Sequence, residues 1–496
     1  MRVILARSPS RHIAPPRALL SVILLLGGCA SMAPHYSLPA LPVAAHYTDA
    51  GNAPRAGSNA ASIGWREYFT DPELQRLILE ALQSNRDLRI AVLHVEESRA
   101  AYGIQRAAWF PVINTQAGMD RSRVPADLNL TQKKLQGNEF QVKLGMASWE
   151  IDFWGRIRSL QDAALATYLA TDAAQHATQI SLISQVADAY LNLRELDERI
   201  RLAGRSIDSR AETLHIFSRR VAVGSSSRFE LTQVQTLLTQ AQTLGAQLKQ
   251  ARAAALNALT LLTGTSVNLP ATENFSDTYG MPIELRAGLP SDLLLQRPDI
   301  IAAEHQLAAA NANIGAARAA FFPRVALTAS FGTASAKFDG LFAADSQAWV
   351  FSPSISLPIF DGGSRRNNLS LTEARRDLAV ASYEQTVQGA FRDVSDALSA
   401  RHWLREQLEI AQRALATQQE RVRLSRLRYD AGTSAFLEVL DAERDLLVAE
   451  QQLVQTQRLL LSSHVSLYAA LGGGSMAFGP NSPSPTGEPA QGVRTP

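Results

Sequence analysis

The amino-acid sequence predicts an α+β membrane protein with an internal duplication, in which each copy carries a long antiparallel α-helical hairpin and two β-strands. Three observations predict this class. Segments within residues 186–235 recur 208 positions later, long stretches repeat apolar residues with heptad spacing, and four short stretches alternate apolar and polar residues. Beyond the first 28 residues no run reaches the roughly 20 apolar residues of a membrane-spanning helix, so a membrane crossing would require β-strands.

The bulk composition disfavours two classes of function. Of 496 residues, 19% are charged and the formal net charge is +2, so no strong positive field marks a nucleic-acid-binding protein. The chain also has no phosphate-binding glycine loop, no paired histidines at metal-ligand spacing and no nucleophile elbow. The sequence therefore does not favour an enzyme, and no metal or diffusible cofactor is expected.

Residues 1–28 have the pattern of a secretory signal peptide. Arginines without acidic residues precede the apolar stretch ALLSVILLL, and Cys29, the single cysteine of the chain, follows shortly after it. The run Leu26-Gly27-Gly28-Cys29 resembles a bacterial lipobox, which implies cleavage before Cys29 and a covalent lipid on that residue. The same resemblance implies sorting to the outer membrane, because in lipoproteins a residue other than aspartate after the cysteine, here Ala30, favours that destination. An ordinary signal peptide with an incidental cysteine is the alternative.

The duplication is visible without a gap where RVAVGSSSRFELTQVQ aligns with RYDAGTSAFLEVLDAE, so that Gly224 matches Gly432 and Glu230 matches Glu438. This period far exceeds that of solenoid repeats, so each copy is a half-molecule and not a stacking unit. We therefore divide the chain into a signal peptide (1–28), an N-terminal lipidated segment (29–71), a first repeat (72–263), a linker (264–290), a second repeat (291–471) and a C-terminal tail predicted to be disordered (472–496).

Each repeat is predicted to contain one very long helix, over residues 156–222 and 364–430. Apolar residues recur in both at spacings of 3 and 4, the seam of a coiled coil, as at Leu196, Ile200, Ala203 and Ile207. At about 1.5 Å per residue, a helix of this length measures about 100 Å, which a compact globular domain does not use. Shorter helices are predicted near 72–108 and 227–263.

Four stretches are predicted as β-strands because they alternate with period two. WVFSPSISLPIF (349–360), FQVKLGMAS (140–148) and RVALTASFG (324–332) place apolar residues on one face and polar residues on the other, and VINTQAGMD (112–120) alternates less cleanly. Such stretches suit transmembrane β-barrel strands, but a half-buried soluble sheet has the same alternation. Pro353 and Pro358 count against a regular central strand.

Several motifs in order resemble those of the TolC-type outer membrane factor family, in the NodT branch of efflux lipoproteins. They are PSDLLLQRPDIIAAE (290–304), AAFFPRVALTASFG (319–332), LPIFDGG (357–363), EIDFWGRIR (150–158) and RYDAGTSAFLEVLDA (428–442). The resemblance covers residues 68–471. It implies a homotrimer in outer membrane lipid, whose protomers each give four strands to a twelve-stranded β-barrel that continues as an α-helical tunnel. It further implies a periplasmic adaptor and an inner-membrane pump as partners.

In this family the hairpin turns lie at the periplasmic end of the tunnel, where they constrict it and meet the adaptor. By motif position, the gate residues implied for the second hairpin are Leu437, Glu438 and Asp441, with Tyr429 as a closed-state contact. Glu230 and Gln233 occupy the equivalent places in the first hairpin, with Arg228 as a candidate ion-pair partner.

The tips also have a purely structural interpretation. Gly224 and Gly432 supply the flexible backbone of the two turns. Acids in the first turn of a helix stabilise its macrodipole by about 0.3–1 kcal/mol each, which alone could explain Glu438 and Asp441.

Two functional hypotheses remain open on the sequence. The first is a passive outer membrane channel of a tripartite efflux system. The second is a lipid-anchored periplasmic coiled-coil protein without a pore, which explains the heptads and Cys29 but not the duplicated strand pairs.

Overall fold

The computed structural model describes residues 31–44, 46–47, 57–130, 132–271, 283–286, 288 and 290–478. The principal elements are α1 (Pro72–Ser84), α2 (Arg86–Ala107), β1 (Ile113–Val124), β2 (Leu135–Ile151), α3 (Arg156–Ala222), α4 (Arg228–Thr263), α5 (Pro298–Ala319), β3 (Arg324–Ser335), β4 (Gln347–Ser356), α6 (Ser364–Asp430) and α7 (Phe436–Ala470). Single helical turns lie at Trp65–Tyr68 and Leu293–Gln296, and 3-10 turns at Ala60–Ser62, Ala126–Leu128, Pro290–Asp292, Phe338–Gly340 and Ser475–Phe478.

The element order repeats, with helix, strand pair, 67-residue helix and shorter helix appearing twice. The predicted spans of the two long helices, 156–222 and 364–430, are confirmed to the residue. The helix predicted near 72–108 is instead broken at Asn85. The Asn85 side chain accepts a hydrogen bond from the Leu88 amide (2.9 Å) and donates one to the Leu262 carbonyl (2.9 Å), so it caps the new helix and ties it to α4.

The chain separates into two compact units, and each unit draws on both repeats. Of the described residues, those within 31–38, 98–168 and 305–380 form the strand unit, and those within 39–97, 169–304 and 381–478 form the hairpin unit. All four strands belong to the strand unit, whereas both helical hairpin turns belong to the hairpin unit.

The strand unit contains one antiparallel sheet in the order β1-β2-β3-β4. Directly paired residues share a face of an antiparallel sheet, so the register sorts the side chains. One row across all four strands reads Thr115, Leu144, Phe331 and Trp349, and the adjacent row, on the opposite face, reads Gln116, Lys143, Gly332 and Ala348. The predicted alternation is therefore confirmed as one apolar and one polar face.

Several large side chains of the apolar face are exposed among the described residues. Its exposed fractions reach 63% at Phe331, 72% at Trp349, 62% at Phe351 and 73% at Ile355. Pro353 lies on β4, an edge strand of this sheet, where a missing amide is tolerated better than in a central strand. A register shift between Met146 and Trp149 on β2 marks a β-bulge.

The core of the hairpin unit is aromatic at one end. Tyr68 and Tyr468 stack with ring centroids 4.3 Å apart, and the Tyr468 hydroxyl donates to the Ile63 carbonyl (2.8 Å). Tyr190 is buried and its hydroxyl donates to the Asp71 carboxylate (2.7 Å), which also caps α1. Among the described helices, none is both long and apolar enough to cross a membrane.

Candidate functional site at the hairpin tips

Both hairpins turn with the same backbone geometry. Gly224 (φ 78°) and Gly432 (φ 70°) adopt the left-handed conformation that side-chain-bearing residues rarely tolerate. At the first tip the Ser225 amide donates to the Arg220 carbonyl (2.8 Å), and at the second the Thr433 amide donates to the Arg428 carbonyl (2.9 Å). These six-to-one bonds are Schellman motifs, which end each long helix and reverse the chain.

The first hairpin resumes as α4 through a capping box. The Ser227 hydroxyl accepts the Glu230 amide (3.1 Å), and the Glu230 carboxylate accepts the Ser227 amide (2.9 Å). Hydrogen bonds from the Ser226 hydroxyl and the Ser227 amide lower the pKa of Glu230. Arg228 is exposed in the same turn, and no ion pair joins it to Glu230 in the described structure.

The second hairpin resumes as α7 without a side-chain cap, since Ala435 occupies the N-cap position. Its acids are paired with arginines instead. Glu438 lies 2.8 Å from Arg428 and Asp441 lies 3.1 Å from Arg444, with all four side chains about half exposed. The two tips therefore share a turn and differ in how their acidic residues are held.

An apolar cluster joins the two hairpins just behind the turns. Phe217, Val234 and Leu440 are buried there, and Phe436 packs against Phe217 with ring centroids 4.6 Å apart. Tyr429 contacts the same Phe436 ring, edge to face, at 4.8 Å.

Arg220 links the first hairpin to Tyr429 of the second. Its guanidinium donates a hydrogen bond to the Tyr429 hydroxyl and lies 5.3 Å from the centroid of the Phe217 ring. Tyr429 thus contacts Arg220 of the first hairpin through its hydroxyl, and Phe436 of its own hairpin through its ring.

A cavity of about 770 Å³ follows the inside of the second hairpin. Arg428, Glu438 and Asp441 line it together with Glu420 and Arg421. The remaining candidates surround this region: Leu437 is 45% exposed, and Gln233 is partly buried at the position equivalent to Asp441. Cys29 lies outside the described residues.

Arg220 and Arg428 also lie at the tips, and neither was predicted from the sequence. A usable signal was present, because both arginines precede the turn glycine by four residues and align at the repeat offset of 208. The two aligned arginines have different partners, since Arg220 binds a tyrosine hydroxyl and Arg428 binds a carboxylate.

A family model described as "Outer membrane efflux protein" matches residues 77–265 and 289–473, which together make up most of the chain. The chain belongs to the outer membrane efflux protein family. The two matched segments correspond to the duplication in the sequence, and family membership makes this an outer membrane protein.

Relatives of this outer membrane efflux protein are similar over nearly their full length. The "Solvent efflux pump outer membrane protein SrpC" of Pseudomonas putida is 43% identical over 457 residues, which cover 91% of this chain and 97% of the relative. "Outer membrane protein OprJ" of Pseudomonas aeruginosa is 42% identical over 459 residues, covering 92% and 95%.

Solved structures of outer membrane channels share the fold. The open state of the Neisseria gonorrhoeae MtrE outer membrane channel superposes with a TM-score of 0.82 at 38% identity, and the match covers 90% of this chain and 99% of that one. The Campylobacter jejuni CmeC outer membrane channel gives a TM-score of 0.82 at 26% identity, covering 90% and 95%.

Proposed function

We propose that this outer membrane efflux protein is a passive trimeric conduit of a tripartite efflux system. It carries small molecules from a periplasmic adaptor and an inner-membrane pump across the outer membrane. The observation that carries the proposal is the sheet register, which gathers exposed Phe331, Trp349, Phe351 and Ile355 on one face. Relatives are named as outer membrane proteins of solvent, toluene and antibiotic efflux pumps. These names support small apolar compounds as the class that is transported.

The edges of the sheet support assembly of several copies into one barrel. Within the described part of one chain, β1 and β4 each pair along one side only. An open sheet edge in lipid leaves backbone amides and carbonyls unpaired at a cost of several kcal/mol per group. Three copies of a 4-stranded sheet supply twelve strands, a number within the range of known barrels. Cyclic symmetry closes the ring and leaves no edge.

The oligomer and the pore are tested together. The purified chain in detergent should run as a heat-modifiable trimer in gel electrophoresis and should conduct ions in planar bilayers. A chain that remains monomeric and non-conducting would favour the alternative, a lipid-anchored coiled-coil protein without a pore.

The N-terminal segment 29–71 anchors the protein through a lipid on Cys29, and the repeats 72–263 and 291–471 form the wall of the conduit. A Cys29→Ser variant should lose incorporation of labelled palmitate. Transport is expected to persist in that variant, because a closed barrel holds the membrane by itself. If the Cys29→Ser variant still carried labelled lipid, Cys29 would not be the attachment site.

The hairpin tips form the gate, with Glu438 and Asp441 as its acidic residues. In a trimer each acid becomes a ring of three, and acidic rings at a constriction favour cations. The pairs Arg428–Glu438 (2.8 Å) and Arg444–Asp441 (3.1 Å) offset the repulsion within such rings. The first of them also joins the end of α6 to the first turn of α7, whereas the second lies within α7. Since all four side chains are half exposed, each pair contributes at most about 1 kcal/mol.

The gate is tested by single-channel recording of the Glu438→Ala/Asp441→Ala double variant. Loss of both ion pairs should increase the open probability and reduce selectivity for cations. Glu409→Ala is the matched control, because it removes an exposed acid from α6 that lies outside the tip cavity. Recordings that are identical for the double variant and the unchanged chain would exclude these acids from the gate.

The adaptor docks at the same tips. Val223 and Phe229 flank the first turn with exposed fractions of 79% and 71%, and such exposed apolar side chains mark protein interaction sites. Cysteines placed at these two positions should crosslink to a periplasmic adaptor in cells. If the adaptor were crosslinked by cysteines on β4 and not by cysteines at the tips, the docking site would lie away from the tips.

A further inference from the structure

Helices α3, α4 and α7 line an open cavity of about 300 Å³ in the hairpin unit. Three arginines line it, namely Arg199, Arg210 and Arg444, together with side-chain amides that include Gln240 and Gln451. No aspartate or glutamate is among the described residues that line this cavity. The lining is therefore rich in hydrogen-bond donors and carries positive charge.

Arg210 is the buried member of this set. Only 3% of its surface is exposed, and its Nη1 donates to the Leu237 carbonyl at 2.7 Å. Its Nη2 is buried without a hydrogen-bond partner among the described residues. Burial and the neighbouring Arg444 lower the pKa of Arg210, against the opposing effect of Glu443.

The other two arginines of the cavity already have acidic partners. Arg199 pairs with Glu195 at 3.0 Å, and Arg444 pairs with Asp445 at 3.1 Å. In the described structure Arg210 is thus the lining cation that forms no ion pair.

Glu443, whose negative charge acts on Arg210, has another partner. It pairs with Arg426 at 2.5 Å, so its carboxylate is already bound by one guanidinium. A buried guanidinium without a compensating anion is strongly unfavourable, because the charge has lost its hydration. Arg210 has the charge of Glu443 nearby but forms no ion pair of its own among the described residues.

We propose that this cavity binds a small oxyanion, of the size of sulfate or phosphate, which accepts a hydrogen bond from Nη2 of Arg210. A guanidinium is the side chain best matched to an oxyanion, because its N–H groups form a planar fork. Because Arg210 lines the cavity, an anion bound there lies beside its guanidinium. Glutamine amides and the Arg199 and Arg444 guanidiniums complete a donor-rich wall.

The cavity has room for this ligand and an entrance for it. A volume of about 300 Å³ holds an oxyanion together with several waters, since each water occupies about 30 Å³. Gln240, Arg444 and Val448 are exposed at its rim. The site stands independently of the proposed conduit, because it lies within the helices of one chain.

The probe is inorganic sulfate labelled with ³⁵S, used in equilibrium dialysis against the full chain in detergent. The unchanged protein should bind it saturably with one site per chain. Arg210→Met keeps the side-chain length without the charge and should weaken binding at least about tenfold. Arg205→Met is the control, because it removes an exposed arginine of α3 that pairs with Glu450 (3.6 Å) outside the cavity.

A second variant keeps the test decisive if Arg210→Met fails to fold. Arg444→Met changes an exposed rim residue and should weaken sulfate binding by about threefold or more through loss of one nearby charge. Absence of saturable binding to the unchanged chain would overturn the proposal. Equal binding by the unchanged chain, the Arg210→Met variant and the Arg444→Met variant would do so as well.

Thermal unfolding gives an independent measurement. Sulfate stabilises proteins generally by exclusion from their surface, so both the unchanged chain and Arg210→Met should gain some stability. Specific binding adds a further saturable rise in Tm to the unchanged chain alone. Equal increases in both proteins at every sulfate concentration contradict an oxyanion site at Arg210.

Discussion

At the residue scale, the burial of His464 makes the stability of the folded protein depend on pH. It lies on α7 in the hairpin unit, where burial, reinforced by Arg401 and Arg405 and opposed by Glu284, lowers its pKa to about 4. The unfolded chain has a histidine pKa of about 6.5. Between these values the unfolded state binds more protons than the folded state, so stability falls as pH decreases from about 6.5 to about 4.

The predicted loss is at most about 3 kcal/mol, since each pKa unit corresponds to about 1.4 kcal/mol and partial exposure reduces the effect. Thermal unfolding midpoints should therefore fall between pH 6.5 and pH 4 and level off below. The variant His464→Gln should remove this part of the pH dependence. His402, which is exposed on α6, provides the control substitution His402→Gln. An unchanged slope in the His464 variant would show that burial does not govern its titration.

At the element scale, the long helices Arg156–Ala222 and Ser364–Asp430 were predictable because apolar residues recur at spacings of 3 and 4 in both, from Leu196 to Val221 and from Leu404 to Tyr429. The break at Asn85 was not, since it depends on a bond to the Leu262 carbonyl that no local pattern encodes. The turn glycines were found through the repeat. The Arg428–Glu438 pair was missed because side-chain torsions choose between several acids and bases within reach.

The two tips offer a controlled comparison of helix starts. In the first repeat, Ser227 and Glu230 form a capping box, and in the second repeat Ala435 and Glu438 occupy the equivalent positions. The change Ala435→Ser restores the serine at the N-cap, with a glutamate three residues later. We expect it to stabilise the first turn of α7 by about 1 kcal/mol.

This gain should have an electrostatic consequence, because a capping Glu438 turns away from Arg428. Amide hydrogen exchange in the first turn of α7 should slow, while single-channel recordings should show more frequent opening. Ala435→Gly is the control, since it changes the cap without providing a hydroxyl. If exchange slowed and gating did not change, the cap would have formed but the Arg428–Glu438 pair would have no role in gating.

At the scale of the whole molecule, the two faces of the sheet must meet different surroundings. The apolar row that includes Phe331 and Trp349 is exposed in the isolated chain, and a soluble protein would cover so large an apolar surface. The alternation in the sequence could not separate a soluble sheet from a membrane sheet, because both bury one face. The exposure of the apolar face, together with membership of an outer membrane family, separates them.

Neighbouring residues of β4 test which face meets lipid. Phe351 is 62% exposed on the apolar face, and Ser352 pairs with Thr328 on the polar face. Phe351→Lys should cost up to about 4 kcal/mol per chain in the membrane, the cost of a lysine facing lipid near the midplane. The amount of heat-modifiable trimer in outer membrane fractions should therefore decrease sharply.

Ser352→Lys, one residue away, adds the same charge to a polar lumen and should leave the trimer intact. Equal loss of trimer in both variants would show that the charge acts through folding of the strand, and loss in Ser352→Lys alone would reverse the assignment of the faces.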